Sequence, residues 1–218
     1  SGVTVNKFKD LEVSQYTTMG QANYKKRNLR SQILKCPCCG ESLDEEKSYE
    51  LNILDKRFSI KCSRGNCFFN KRPIPVYLVD EEIYSKTPTI IIGTVDKFAR
   101  ITFEERVHLL FGKRNIECTD CGSFLNTDEE EIKDCGHRGH LFEQKQKPCR
   151  NFYPPELILQ DELHLITGPL GTIYGNYEMA IDELCTVCID DNKIRPKYIA
   201  STATIKNAEE QVRALYGR

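Results

Sequence analysis

Three apolar runs along the chain share one shape: proline opens each, and a polar cluster closes it. They are Pro88-Thr89-Ile90-Ile91-Ile92-Gly93, Pro155-Glu156-Leu157-Ile158-Leu159 and Pro196-Lys197-Tyr198-Ile199-Ala200. Short apolar runs with this punctuation predict buried strands. The closing clusters are Thr94/Asp96/Lys97, Asp161/Glu162/His164 and Ser201/Thr202/Thr204. Helical periodicity follows each run. Phe103, Val107, Leu110 and Phe111 share a face, with Thr102 as N-cap, Glu105 completing a capping box and Gly112 as stop. Gly168-Pro169-Leu170-Gly171 reads as a turn into a helix bearing Ile173, Tyr177, Ile181 and Leu184, and a last helix runs from Asn207 and Glu210 to Gly217. The alternation predicts an α/β layer with a mostly parallel sheet. Ligands bind beyond the carboxyl ends of such strands, so the three clusters are expected on one rim.

Other segments break this rhythm and divide the chain. Residues 1–35 are polar, and Lys25-Lys26-Arg27 with Arg30 read as a solvated helical face. Residues 36–73 and 118–150 are cysteine-rich modules, while 74–117 and 151–218 carry the strand-helix pattern. A length of 218 residues suits one large domain or a domain with small modules. At 39% hydrophobic and 29% charged, an ordinary core is feasible. The net charge of −1 argues against a generally cationic nucleic-acid coat but leaves room for a local basic track. No apolar run is long enough to span a bilayer and no signal-peptide pattern opens the chain, so a cytoplasmic protein without a membrane partner is expected. Ser1-Gly2 reads as the remnant of a cleaved tag.

Eleven cysteines, mostly in close pairs within a long chain, point to reduced thiols and metal rather than disulfides. Cys36-x-x-Cys39-Gly40 has the form of a zinc knuckle, and Cys62 with Cys67 can supply the other two thiolates. Cys38 is the spare. Four sulfurs in two close pairs suit closed tetrahedral zinc. A second knuckle, Cys118-x-x-Cys121-Gly122, draws partners from Cys135, His137, His140 and Cys149. The Cys135–His140 gap repeats the Cys62–Cys67 gap, which favours Cys118, Cys121, Cys135 and His140, with Cys149 the rival fourth ligand. Cys185-x-x-Cys188 lacks a second pair and reads as buried thiol at a helix end. Neither H-x-E with P-C-x-x-C nor H-E-x-x-H occurs, so both zinc sites read as structural. Nearby Arg64, Lys71, Arg72, Lys113 and Arg114 are candidate phosphate contacts, though charged surface residues are common anyway.

An apolar strand delivering Asp161-Glu162 at its end is a Walker B arrangement: the first acid holds magnesium, and the second accepts a proton from water attacking a γ-phosphate. In order, Thr94-Val95-Asp96-Lys97, Asp161-Glu162-Leu163-His164 and Ser201-Thr202-Ala203-Thr204 resemble motifs Ib, II and III of superfamily 2 helicases of the DEAH/DExH type. The longer strings PPELILQDELHLITGPLG and PKYIASTATIKNAEEQVRALYGR are similar to large bacterial helicases, including the helicase of the DISARM anti-phage system. The resemblance covers about residues 74–218 and implies a partial RecA-like sheet with two cysteine-rich zinc insertions. It further implies that Asp161 binds magnesium, Glu162 is the catalytic base and His164 senses the second motor domain. Ser201, Thr202 and Thr204 would lie at the nucleotide site, and Thr94 and Lys97 on the nucleic-acid backbone. The implied partners are nucleic acid, DNA before RNA, and the remainder of the parent helicase.

No G-x-x-x-x-G-K-[ST] loop occurs in these residues, nor motifs I, Ia, IV, V or VI. The expectation is therefore an excised piece of a motor, beginning after motif Ia and ending after motif III. ATP and Mg2+ would serve the full-length parent, and the piece alone would be inactive. Two readings compete: a zinc-ribbon module that binds nucleic acid or protein, and a metal-dependent nuclease using Asp161, Glu162 and His164. Asp96 is thin support for the latter.

Overall fold

The computed structural model describes residues 33–52, 57–94, 97, 103–128, 135, 145–161, 168–201 and 213. The chain divides into two units: Ser1–Ile91 with Glu117–Leu125 and Glu131–Lys147, and Ile92–Ile116 with Asn126–Glu130 and Pro148–Arg218. The fold is mixed α/β, built on small sheets.

In the first unit a short helix, α1 (Glu45–Ser48), leads into an antiparallel pair, β1 (Tyr49–Asn52) and β2 (Arg57–Ile60). Tyr49 stands opposite Ile60, and its ring meets Phe58 edge-on at 5.8 Å. Such aromatic cross-strand contacts contribute beyond the area they bury. On the other face, Glu50 pairs with Ser59 and takes an ion pair from Lys61 at 2.8 Å. Phe58 and Ile60 then join Leu43, Ile74, Leu78 and Val79 around Cys36, Cys62 and Cys67 in one core. The first thiolates are thus core residues in a module too small for a large apolar interior.

After α2 (Phe68–Lys71), Ile74 donates its N–H to Ile60, and the chain enters α3 (Asp80–Lys86). Asp80, Glu81 and Glu82 sit at the positive end of its dipole and Lys86 at the negative end. Thr87 closes it in a left-handed conformation, its N–H on Ile83. A three-stranded sheet completes this unit in the order β4 (Phe124–Leu125), β3 (Ile116–Cys118), β5 (Gln146–Pro148).

Among the described residues, the second unit includes a single helical turn, α4 (Val107–Leu110). Its centre is the parallel pair β6 (Leu157–Gln160) and β9 (Lys197–Ala200), with Leu157 beside Lys197 and Gln160 beside Ala200. Parallel neighbours need a long crossover. Here α5 (Gly168–Cys185) and the hairpin β7 (Val187–Ile189), β8 (Asn192–Ile194) supply it. Asp190 and Asp191 turn that hairpin with φ of 48° and 64°, as a type I′ turn requires.

Four expectations need correcting. Residues 88–93 form no strand: Ile90 and Ile92 are 78% and 90% exposed, so the parallel pairing among the described residues has two strands, not three. β-branched apolar sequence favours a strand only where a neighbour offers a ladder. Phe103 is 86% exposed, and the helix after it shrinks to Val107–Leu110, burying Leu109 and leading to buried Phe111. Thr102 lies outside the described residues. Gly168-Pro169-Leu170-Gly171 is not a turn but the opening of α5, where proline's missing N–H costs nothing. The face of α5 that is buried carries Tyr174, Glu178 and Cys185 rather than Ile181 and Leu184. Tyr198 of β9 meets that face. Burial first, then the carboxylates of Asp182 and Glu178, push its hydroxyl well up.

Gly112 ends α4 as expected, at φ 85°. A Cβ there would run into the carbonyl of Phe152, whose N–H is bonded to Gly112. Gly112→Ala should cost roughly 2–4 kcal/mol, combining left-handed strain with a backbone clash. A lowered urea midpoint checks this, and an unchanged one would show that the turn relaxes.

Candidate functional site

The first thiolate centre is assembled by the β1–β2 hairpin, which lies between its two halves. On the first half, Cys36 donates its N–H to Glu41 at 2.8 Å and Gly40 donates back to Cys36 at 2.9 Å. Gly40 at φ 73° permits that turn. On the second half, Cys67 bonds back to Arg64, Cys62 donates to Phe69, and the Asn70 amide donates to Cys62. The four Sγ atoms of Cys36, Cys39, Cys62 and Cys67 lie within 4.8 Å of one another. The short contacts run across the halves, Cys36 to Cys67 and Cys39 to Cys62, each at 3.6 Å.

These separations test for metal. A disulfide needs about 2.05 Å, whereas zinc at about 2.3 Å from tetrahedral sulfurs sets their separation near 3.8 Å. The arrangement is compatible with zinc and not with disulfides, and all of these cysteines are free. Burial works to raise the Cys36 thiol, but the backbone N–H groups of Cys39 and Cys38, with the Cys67 and Cys39 thiols, bring it down to about 7. Burial raises both Cys62 and Cys67, and at each the Cys39 and Cys36 sulfurs add to it. Exposed Cys38 stays outside the group, as its role as spare predicts.

The second knuckle repeats the first bond for bond. Cys118 donates to Ser123 at 2.8 Å, and Gly122, at φ 69°, donates to Cys118 at 2.7 Å. Cys118, Cys121 and Cys135 form a second group with sulfurs within 4.8 Å of one another. His140 lies outside the described residues. Cys149 is not in the group, and its N–H is bonded to Asn115. Pattern reading missed Ser123, a fully buried hydroxyl 3.1 Å from the Cys121 sulfur, and Lys86, whose ammonium donates to the Cys121 carbonyl. Ser123 sits one place past the knuckle glycine, where Glu41 sits in the first, so the repeat itself was the available signal. Lys145 and Lys147 brace this module through Asp120 and Glu117.

At the carboxyl end of the parallel pair, Ser201 donates its N–H to Gln160 at 2.8 Å and its hydroxyl to Asp161. Both side chains are exposed. The register of β6 and β9 therefore brings two of the expected strand ends together. Glu162, His164, Thr202 and Thr204 lie outside the described residues. Thr94 is exposed and Lys97 half-buried, and the Lys97 N–H closes a turn on the Thr94 carbonyl at 2.9 Å, with no strand before it. Cys185 is buried at the end of α5, its thiol pushed up to about 12 by burial and then Asp182, while Cys188 is exposed. No helix among the described residues is long and apolar enough to cross a membrane.

No known family model matches the chain. A DISARM protein DrmA from Bacillus paralicheniformis is 46% identical over 220 residues, taking in 99% of this chain and 19% of that protein. The chain thus spans about a fifth of the relative's length. Along its whole length, then, the chain is homologous to one segment of a DISARM protein DrmA.

Proposed function

We propose that the chain is part of the first motor domain of an ATP-dependent nucleic-acid helicase or translocase, a RecA-like sheet interrupted by two structural zinc modules. The observation that carries this reading is the Asp161–Ser201 contact at the carboxyl ends of two parallel strands in register. In open parallel sheets ligands sit beyond the carboxyl ends of neighbouring strands, so a magnesium-binding acid and a coupling element on adjacent strand ends would share one site. Whole-length similarity to a segment of DrmA supports it. Exposed Leu157, Leu159 and Ile199 fit as well, since β6 and β9 would be buried within a larger sheet.

Asp161 supplies the kind of hard oxygen that magnesium takes, and Ser201 holds its carboxylate in place. Bound magnesium with ATP would supply charge neutralisation on the phosphates. Glu162 would take the proton of the attacking water, and His164, Thr202 and Thr204 would relay the nucleotide state. Thr94 and Lys97 would contact a backbone phosphate. Thiolate modules supply folding energy to the loops that carry them.

The test is ATP hydrolysis followed by phosphate release. The 218-residue chain should release none. A longer protein that joins this stretch to a phosphate-binding loop should hydrolyse ATP faster when single-stranded DNA is added. A longer protein that binds no nucleotide would overturn the reading. Magnesium-dependent DNA cleavage by the chain would favour the nuclease instead.

A further inference from the structure

Between residues 57 and 73 the chain carries five cations, Arg57, Lys61, Arg64, Lys71 and Arg72, and no acid, although its overall net charge is −1. Zinc held by four thiolates would contribute two negative charges, which still leaves this segment three units positive. Lys61 is bonded to Glu50, while Arg64, Lys71 and Arg72 are exposed. An aromatic ring lies among them. Phe68 is 59% exposed despite two contacts that fix it: the Phe69 ring edge-on at 5.2 Å, and the Arg72 guanidinium over its face at 5.2 Å. Gly65, Asn66, Cys67, Phe68, Lys71 and Arg72 line an open concavity of about 360 Å³ beside it.

We propose that this surface of the first thiolate module binds single-stranded nucleic acid, an unpaired base stacking at Phe68 and Arg72 while Lys71 and Arg64 hold the flanking phosphates. The chemistry selects this ligand. Protein interfaces deplete lysine around their aromatic anchors, whereas here Lys71 lines the concavity beside the ring and Arg72 lies over its face. Aromatic and guanidinium planes stack on any base that is free of its partner, and a duplex hides those planes. Phe68 follows Cys67 directly, so zinc in the thiolate centre would fix the backbone that presents the ring. The proposal rests on this module alone and stands or falls independently of the motor reading.

Fluorescence anisotropy with the zinc-loaded chain tests it, using an oligothymidylate of about 16 nucleotides, within the usual site sizes, and a duplex of equal length. The single strand should bind more tightly than the duplex. Phe68→Ala should weaken single-strand binding roughly 5- to 100-fold, with zinc content and melting temperature unchanged because the ring is largely exposed. Phe68→Trp should restore binding. Lys71→Ala combined with Arg64→Ala should flatten the dependence of affinity on salt. The proposal is overturned by equal affinity for duplex and single strand, or by Phe68→Ala binding as well as the parent. Failure to bind either nucleic acid also overturns it and turns the surface toward a protein partner.

Discussion

Cys62→Ser should release one equivalent of zinc per chain and unfold the first thiolate module, and a strong chelator should do the same to the unaltered chain. Cys62 is almost fully buried and packs with Phe58, Ile60 and Leu43, so the cysteine cluster and the apolar core are one structure. Structural zinc contributes on the order of 10 kcal/mol in small modules, more than a core of this size offers by itself. Cys38→Ser is the control: that thiol is exposed, lies outside the group and should leave zinc content unchanged. The pH dependence has a definite sign. Zinc binds thiolates, and burial raises Cys62 and Cys67 in the metal-free module, so binding displaces protons from both. Affinity should therefore fall as pH falls and rise toward alkaline pH. Zinc release that is independent of pH, or a Cys62→Ser chain with full zinc content, would contradict the four-thiolate assignment.

Glu162→Gln, placed in a longer protein that carries this stretch, should reduce ATP turnover by roughly 10²- to 10⁴-fold, the usual worth of a positioned general base. Nucleotide affinity should change little, because the substitution removes a proton acceptor and keeps the shape. Ser201→Ala is the companion test of geometry. It deletes the hydroxyl that Asp161 accepts from and should lower turnover less than Glu162→Gln does. If Glu162→Gln turns over ATP at the parent rate, Asp161-Glu162 is a polar strand end and the zinc-module reading takes precedence.

The thiolate centres were legible in the sequence because half of each is local. A Cys-x-x-Cys-Gly stretch encodes its own turn: the glycine takes the left-handed backbone that lets its N–H reach the first cysteine, at Gly40 and again at Gly122. The two strands at 157–160 and 197–200 were legible for a related reason, since proline, an apolar run and a polar stop all coincide there. The isoleucine run at 90–92 has the same local signal and forms no strand, because a strand is completed by a neighbour's hydrogen bonds rather than by its own residues. The buried face of α5 was misread for a similar reason. Spacing identifies which residues share a face, but tertiary packing decides which face is covered, and the buried residues are Tyr174, Glu178 and Cys185.

By itself the sequence determined the short-range chemistry: two glycine-ended cysteine knuckles, a proline-led apolar strand carrying Asp161, and a second ending at Ser201. Those features lie within a few residues of one another, where backbone geometry alone relates them. Only the tertiary structure decided that the Cys36–Cys39 half meets the Cys62–Cys67 half with Cys36 on Cys67 and Cys39 on Cys62 at 3.6 Å, that Ser201 bonds Asp161, and that Phe68 faces solvent beside Arg72. Contacts between residues far apart in sequence depend on strand register and core packing, and no local pattern encodes those.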